Sequence, residues 1–349
     1  MNIKTKHILY LVLISFLYNC TKEEFEGPSI ENLYGEFEII ESLKLTNKNP
    51  NFLNNEKVGF NCEFNKPVEW KIQINGLSTN AYREITGFSN LIDSNIVIWG
   101  GGPSQVPFFS EEICTIELTF ENEIDTLRDT INIVSAKTYE DGIWIEDFEN
   151  GFPDDGLIYF NSDGGGMTFS LANDNSLLGN SYFKMGGRVN WDWALGNIDM
   201  PVNINNVTQD SDNIYINIGI LSDLEDLHTG QVINILISEE KNTPFNDNLN
   251  NNASDLFEST MEVYKIKIPV DWNGWQVKSF RYSDFEPVSP NNQDINFNMN
   301  PNDISAIRIA CQACPSSSGN PICPENFGKD VRTDIDHIIF TTNSSLLDQ

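Results

Sequence analysis

Positive charge is scarce in this chain: 21 Lys plus Arg stand against 51 Asp plus Glu, a formal net charge of -30. Nucleic acid is bound through basic groups that displace counterions, so no nucleic-acid partner is expected. Histidine is scarcer still, with three in the whole chain, which argues against a multi-histidine metal centre. No Gly-x-Ser-x-Gly elbow, His-Glu-x-x-His helix or phosphate-binding glycine loop occurs, so no catalytic motif is recognised. Carboxylate pairs alone do not point to a glycosidase, because 51 acids offer too many pairs to choose among. Beyond residue 20 no apolar run is long enough to cross a bilayer as a helix.

What is present begins at the N-terminus. Lys4 and Lys6 precede an apolar run over residues 8–18, and Cys20 follows. About ten apolar residues are too few to span roughly 30 Å of hydrocarbon but suit a signal-peptide core. The arrangement resembles a bacterial lipoprotein leader over residues 1–19, with Cys20 as the lipid-bearing first residue of the mature chain. An ordinary secretory signal is the alternative. Residues 20–32 form an acidic tether, and Lys22-Glu23-Glu24-Phe25-Glu26 within it resembles the signal that sends Bacteroidetes lipoproteins to the outer face of the outer membrane.

Five cysteines remain: Cys62, Cys114, Cys311, Cys314 and Cys323. In an exported chain disulfides are expected, with one thiol left over. Residues 33–136 read as a β-sandwich of seven short strands, at 36–45, 57–64, 68–74, 81–88, 95–99, 113–120 and 129–134. Phe60, Cys62 and Phe64 share one strand face, as do Cys114, Ile116, Leu118 and Phe120, so both cysteines point to the core. Trp70 lies between them in sequence, in phase with Ile72 and Ile74. The series resembles an Ig/PKD-like domain, which implies a disulfide between Cys62 and Cys114. Trp99, before Gly100-Gly101-Gly102-Pro103, is expected to pack over that turn rather than to form a sugar platform.

A polar linker at 135–142 leads into residues 137–349, with about ten further β candidates and no long helical period. Ile145-Glu146-Asp147-Phe148-Glu149-Asn150-Gly151, Gly274-Trp275-Gln276-Val277, Ile304 with Ile309, and Ile335-Asp336-His337-Ile338-Ile339-Phe340 resemble successive strands of galactose-binding-like jelly rolls. Many carbohydrate-binding modules have that fold. The expected class is all-β, an Ig/PKD-like β-sandwich followed by a larger jelly-roll β-sandwich. Leader, spacer and jelly roll together resemble surface glycan-binding lipoproteins of Bacteroidetes polysaccharide-utilisation systems. That resemblance implies a polysaccharide ligand, a lipid anchor in the outer membrane and a neighbouring outer-membrane glycan importer. It also implies one structural calcium, for which Glu146, Asp147, Glu149, Asp334 and Asp336 offer hard oxygen ligands, with Glu146, Glu149 and Asp336 the chosen set. The bland alternative is that these are acids of a very acidic chain.

Strand phase nominates the binding residues. Trp191 and Trp193 project to one side of a strand about 7 Å apart, a spacing that suits stacking on successive sugars; core burial of both is the alternative. Tyr182 and Lys184 alternate with apolar Phe183 and Met185. Tyr215 and Asn217 oppose the in-phase Ile214, Ile216, Ile218 and Ile220, and Arg308 lies between Ile307 and Ile309. These polar residues are expected on one face able to hydrogen-bond sugar, the bland reading for Arg308 being a solvated or paired surface arginine. The jelly-roll resemblance implies a core position for Trp275. Cys311, Cys314, Cys323 and His337 have a formal Cys3His zinc spacing, but a disulfide is commoner in an exported chain. Cys311 is in phase with Ile307 and Ile309, which favours Cys314 pairing with Cys323. The function expected is non-catalytic capture of polysaccharide for uptake. The alternatives are a glycoside hydrolase or polysaccharide lyase on a β-sandwich, and an adhesive or structural lipoprotein.

Overall fold

Apolar and polar residues alternate through nearly every element, and in the computed structural model these elements are strands. Described are residues 35–160, 166–188, 194–204, 207, 210–223, 231–239, 262–288, 296–313 and 328–348. The leader, the tether with Cys20, Trp191, Trp193, Cys314 and Cys323 lie outside the described residues. The chain is all-β; among the described residues the helical elements are short 3-10 turns.

The first six strands are β1 (Ile39–Leu45), β2 (Val58–Gly76), β3 (Tyr82–Ile92), β4 (Ile98–Trp99), β5 (Ile113–Phe120) and β6 (Thr126–Asn132). All pairings are antiparallel, and β2 is the hub, bonded to β1, β3, β4 and β5. The two strands expected at 57–64 and 68–74 are one continuous strand. Pro67 lies where the pairing with β3 slips register, between Glu63 and Val68. A proline has no N–H to give a ladder and is tolerated at such a slip, so it does not end the strand. Phe60, Phe64, Trp70, Ile72, Ile74, Ile116 and Leu118 form the core here. The Trp70 indole lies against Gly87, where a Cβ would fall 2.2 Å from the ring. Its N–H donates to Ser89 Oγ at 3.0 Å. Trp99 is buried and donates to Gly102 O at 2.8 Å, packed over the glycine turn.

The bond between Cys62 and Cys114 is not formed. Both point into the core as their phase requires, but each is a free, buried thiol. Cys114 is in register with Gly76 at one end of β2, whereas Cys62 lies near the other end, so shared phase does not give shared position along the strand. Burial pushes their thiols up to about 11 for Cys62 and about 12 for Cys114. Such thiols are poor nucleophiles. Alkylation in denaturant without reductant is therefore expected to label both cysteines; a peptide holding them disulfide-linked would contradict the free-thiol state.

The later strands are β7 (Ile143–Glu146), β8 (Leu157–Phe160), β9 (Met167–Ala172), β10 (Tyr182–Arg188), β11 (Ala194–Pro201), β12 (Ile214–Ser222), β13 (Val232–Ser238), β14 (Val263–Pro269), β15 (Gly274–Arg281), β16 (Glu286–Pro287), β17 (Ala306–Gln312) and β18 (Asp330–Thr342). They form two antiparallel sheets. One has the order β15-β12-β18-β10-β9, with β7 also on β18; the other has the order β16-β14-β13-β17-β11-β8. The inner faces meet in one core: Ile216, Ile218, Ile220, Ile335 and Phe340 from the first sheet, Ile198, Ile233, Ile235, Ile307 and Ile309 from the second. Each such side chain contributes about 1.5–3 kcal/mol by leaving water. β9 was not expected; its Met167, Phe169 and Leu171 alternate with Thr168 and Ser170, a six-residue signal on an edge strand after a glycine run.

Part of the first sheet's outer face is covered. Val277, Ile339 and Leu346 cluster there with Tyr139, and Val106, Phe108, Leu177 and Leu178 pack against them. Val277 N donates to Gln105 Oε1 at 2.9 Å, and His337 Nε2 lies 3.0 Å from Tyr139 O. Residues from both halves of the chain therefore close over this end of the sheet.

Candidate functional site

The outer face of the second sheet carries two cross-strand rows. One runs Tyr159, Asn197, Ala310, Asn234, Lys267; the next runs Leu157, Asp199, Arg308, Leu236, Lys265. These residues face outward because their neighbours Ile198, Ile235, Ile307 and Ile309 are core. With strands about 4.8 Å apart, the five strands from β8 to β14 span about 19 Å, enough for several linked sugar rings.

At the centre Arg308 grips Asp199 with two parallel bonds, Nε to Oδ1 at 2.7 Å and Nη2 to Oδ2 at 2.6 Å. Asn197 Nδ2 donates to the same Oδ1 at 2.8 Å. The Asp199 side chain is 1% exposed and that of Arg308 12%. Burial raises the Asp199 carboxyl against the opposing pull of Arg308. A charge pair this desolvated adds little stability by itself, so its worth lies in what it fixes: the plane of the guanidinium. Asn234 Nδ2 donates to Gln312 Oε1 at 2.8 Å on the adjacent row, locking a second planar polar group. Tyr159 lies at one edge of the face, 51% exposed. Lys265 and Lys267 stand on β14, near the other edge. Burial, and then the neighbouring Lys265, lower the Lys267 ammonium. The face thus offers a fixed guanidinium, amides, an open aromatic ring and ammonium groups, a set that suits hydroxyl-rich ligands.

The nominated residues do not share this face. Arg308 belongs to it, whereas Tyr182, Lys184, Tyr215 and Asn217 belong to the other sheet. Tyr182 is not an exposed residue but fully buried: Trp275 packs edge-on against it, Arg332 Nη2 donates to its hydroxyl at 3.0 Å, and that hydroxyl donates to Asp174 Oδ1 at 2.5 Å. Asn217 is also fully buried. Its Nδ2 donates to Ile339 O and Thr341 Oγ1, and its Oδ1 accepts from Ser279 Oγ and Leu346 N, all bonds within the covered end of the sheet. Tyr215 is part-exposed, with its hydroxyl accepting from Arg281 Nε. Trp275, expected in the core, is part-exposed outside it, its N–H bonded to Asn175 O. Asn197 and Asp199 were missed, although they alternate with Ile198 and Met200 as clearly as Arg308 does with its neighbours.

The acids expected to hold calcium each accept backbone N–H groups, while Asp336 Oδ1 has no hydrogen-bond partner among the described residues. Glu146 Oε1 accepts from Phe148 N, Glu149 Oε1 from Asn180 N and Ser181 N, and Asp336 Oδ2 from Leu177 N and Leu178 N. Among the described residues no three His, Cys, Asp or Glu side chains form a group placed to hold a metal. Of the formal zinc set, Cys311 is a buried free thiol and His337 meets Tyr139 O.

No protein-family model matches the chain. No curated protein sequence matches it. Among solved structures, CtCBM11, described by its solution structure, dynamics and binding studies, is similar at 17% identity and TM-score 0.36, over 59% of this chain and 98% of that one. SGBP-B from a complex xyloglucan utilization locus in Bacteroides uniformis is similar at 11% identity and TM-score 0.35, over 86% of this chain and 72% of that one. The family 30 carbohydrate-binding module of a Clostridium thermocellum cellulosomal cellulase is similar at 10% identity and TM-score 0.34, over 58% and 98%. Likeness at these scores says nothing of ligand.

Proposed function

We propose that this chain is a surface-anchored, non-catalytic glycan-binding lipoprotein. The reading is carried by one observation: the Asp199–Arg308 pair, nearly dry, holding a guanidinium flat on a polar sheet face about 19 Å wide. A planar donor of that kind matches the vicinal hydroxyls of a sugar ring, and Tyr159 supplies an aromatic ring for an apolar sugar face. Cleavage by paired carboxylates needs an acid and a base or nucleophile, both accessible to the glycosidic bond. Asp199 is committed to Arg308 and Asn197, which disfavours that role and supports binding without chemistry.

The leader supplies the anchor in this reading. Cys20 carries the lipid, the acidic tether directs the chain to the outer face of the outer membrane, and the first sandwich acts as spacer. Weak contacts repeated along a polymer raise local glycan concentration beside an importer without tight binding at any one site. The test is affinity electrophoresis of the mature chain through gels containing neutral and anionic polysaccharides, with product analysis of the same mixtures. Retardation by at least one polysaccharide without new reducing ends or unsaturated products is expected. Product release would overturn the non-catalytic reading in favour of a hydrolase or lyase.

A further inference from the structure

A second feature lies on the opposite side of the sandwich. The outer face of the first sheet, where it is not covered by the first half of the chain, opens into a cleft of about 350 Å³ lined by Thr168, Lys184, Gly186, Asp223, Asp330 and Arg332. Its volume is that of a small-ligand site. Gly186 and Gly187 leave part of its wall as bare backbone; a Cβ at Gly186 would fall 2.4 Å from Val331 O, so the opening requires glycine there.

The cleft is built on a buried charge. Asp334, with no side-chain exposure, accepts from Arg332 Nε at 2.6 Å and from Met185 N at 3.2 Å. Arg332 also donates through Nη2 to Tyr182 OH, which is itself anchored on Asp174. The guanidinium is therefore held from two sides, while its Nη1 group makes no hydrogen bond among the described residues. Among the described residues Lys184, one strand away, makes no hydrogen bond, and its charge acts on the Asp174 and Asp334 carboxylates. Unspent donors on a fixed guanidinium and an ammonium, beside the Asp330 carboxylate, whose Oδ2 lies 3.9 Å from Arg188 Nη2, present both donors and acceptors. The acids on this wall oppose an anionic ligand. Hydroxyl groups, which donate and accept at once, satisfy both kinds of partner.

We propose that this cleft is a second carbohydrate site, selective for a short neutral saccharide such as a chain end or side branch. The assignment rests on the carbohydrate reading of the chain. Its described lining offers hydrogen-bonding groups, whereas the broad face around Arg308 also carries Tyr159. Two sites on opposite outer faces let one anchored molecule hold two chains or two parts of a branched one, multiplying avidity.

The test is calorimetric titration of the mature chain with neutral oligosaccharides of glucose, mannose, xylose or galactose, compared with Lys184→Met and with Asp199→Leu/Arg308→Met. Lys184→Met removes a part-exposed ammonium that acts on the Asp174 and Asp334 carboxylates and keeps its apolar stem, so urea unfolding of the variant is measured beside the titration. Two equivalents per chain are expected, Lys184→Met losing one and the double variant the other. A single equivalent lost in the double variant and untouched by Lys184→Met overturns the second site and leaves the first. A single equivalent lost only in Lys184→Met overturns the Arg308 face instead. Binding of no neutral oligosaccharide, or of uronate-containing ones alone, overturns the cleft's assignment.

Discussion

Arg308→Ala is expected to cost about 3–5 kcal/mol of unfolding free energy, because it leaves the Asp199 carboxylate buried without its partner. The Asp199 side chain is 1% exposed and accepts two bonds from Arg308 beside the one from Asn197. Removing both charges has the opposite character. In Asp199→Leu/Arg308→Met an apolar pair of similar bulk replaces the ions, and such replacements are neutral or stabilising by about 1–4 kcal/mol. Urea unfolding of wild type, single and double variants checks this. A single variant as stable as wild type would mean that the pair is solvated, and the argument that it exists to fix the guanidinium would fail.

Stability is also expected to fall as pH rises through about 7; Glu239 contributes to this, alongside Asp336, which burial also pushes up to about 7. Glu239 follows β13, accepts from Tyr282 OH and Asn300 N, both at 2.7 Å, and is pushed up to about 7 from an ordinary 4.5, chiefly by burial. Glu262 and Asp303 add to the rise. In the unfolded chain the carboxyl releases its proton near 4.5, whereas the folded chain keeps it to about 7, so folding binds a proton between those values. Stability from this group is full below the lower value and is lost as pH climbs through the upper one. Glu239→Gln keeps the acceptor for Tyr282 and Asn300 without the charge. It is expected to be more stable than wild type by about 1–3 kcal/mol at pH 8, with the gain vanishing near pH 4. Denaturation series at the two pH values measure it; equal gains at both would remove Glu239 as the cause.

Strand phase read from the sequence located the cores well and the exposed groups poorly. Ile216, Ile218, Ile220, Ile307 and Ile309 are buried as their alternation requires, and Arg308 faces outward between two of them. Phase assigns a side chain to one face of a sheet but not to solvent. Tyr182 and Asn217 have outward phase and are nonetheless fully buried, because Trp275 packs on one and residues around Leu346 close over the other. Those contacts join positions far apart in sequence, which no local pattern encodes. The same gap explains Cys62 and Cys114: both face inward, but register along β2 keeps them at different levels. It also explains why Tyr182 and Lys184 were grouped with Arg308, since nothing in alternation tells which of two sheets a strand joins. Asn197 and Asp199 were legible in the alternation with Ile198 and Met200, only four to six residues beyond Trp193.

A fixed, largely buried guanidinium on the outer face of the second sheet is proposed to hold polysaccharide. That role is tested most directly by gel retardation of the Asp199→Leu/Arg308→Met variant beside wild type, on a polysaccharide that retards the wild type. A variant as stable as wild type but no longer retarded is the predicted result. Undiminished retardation of the folded variant would contradict it and place the glycan elsewhere on the molecule.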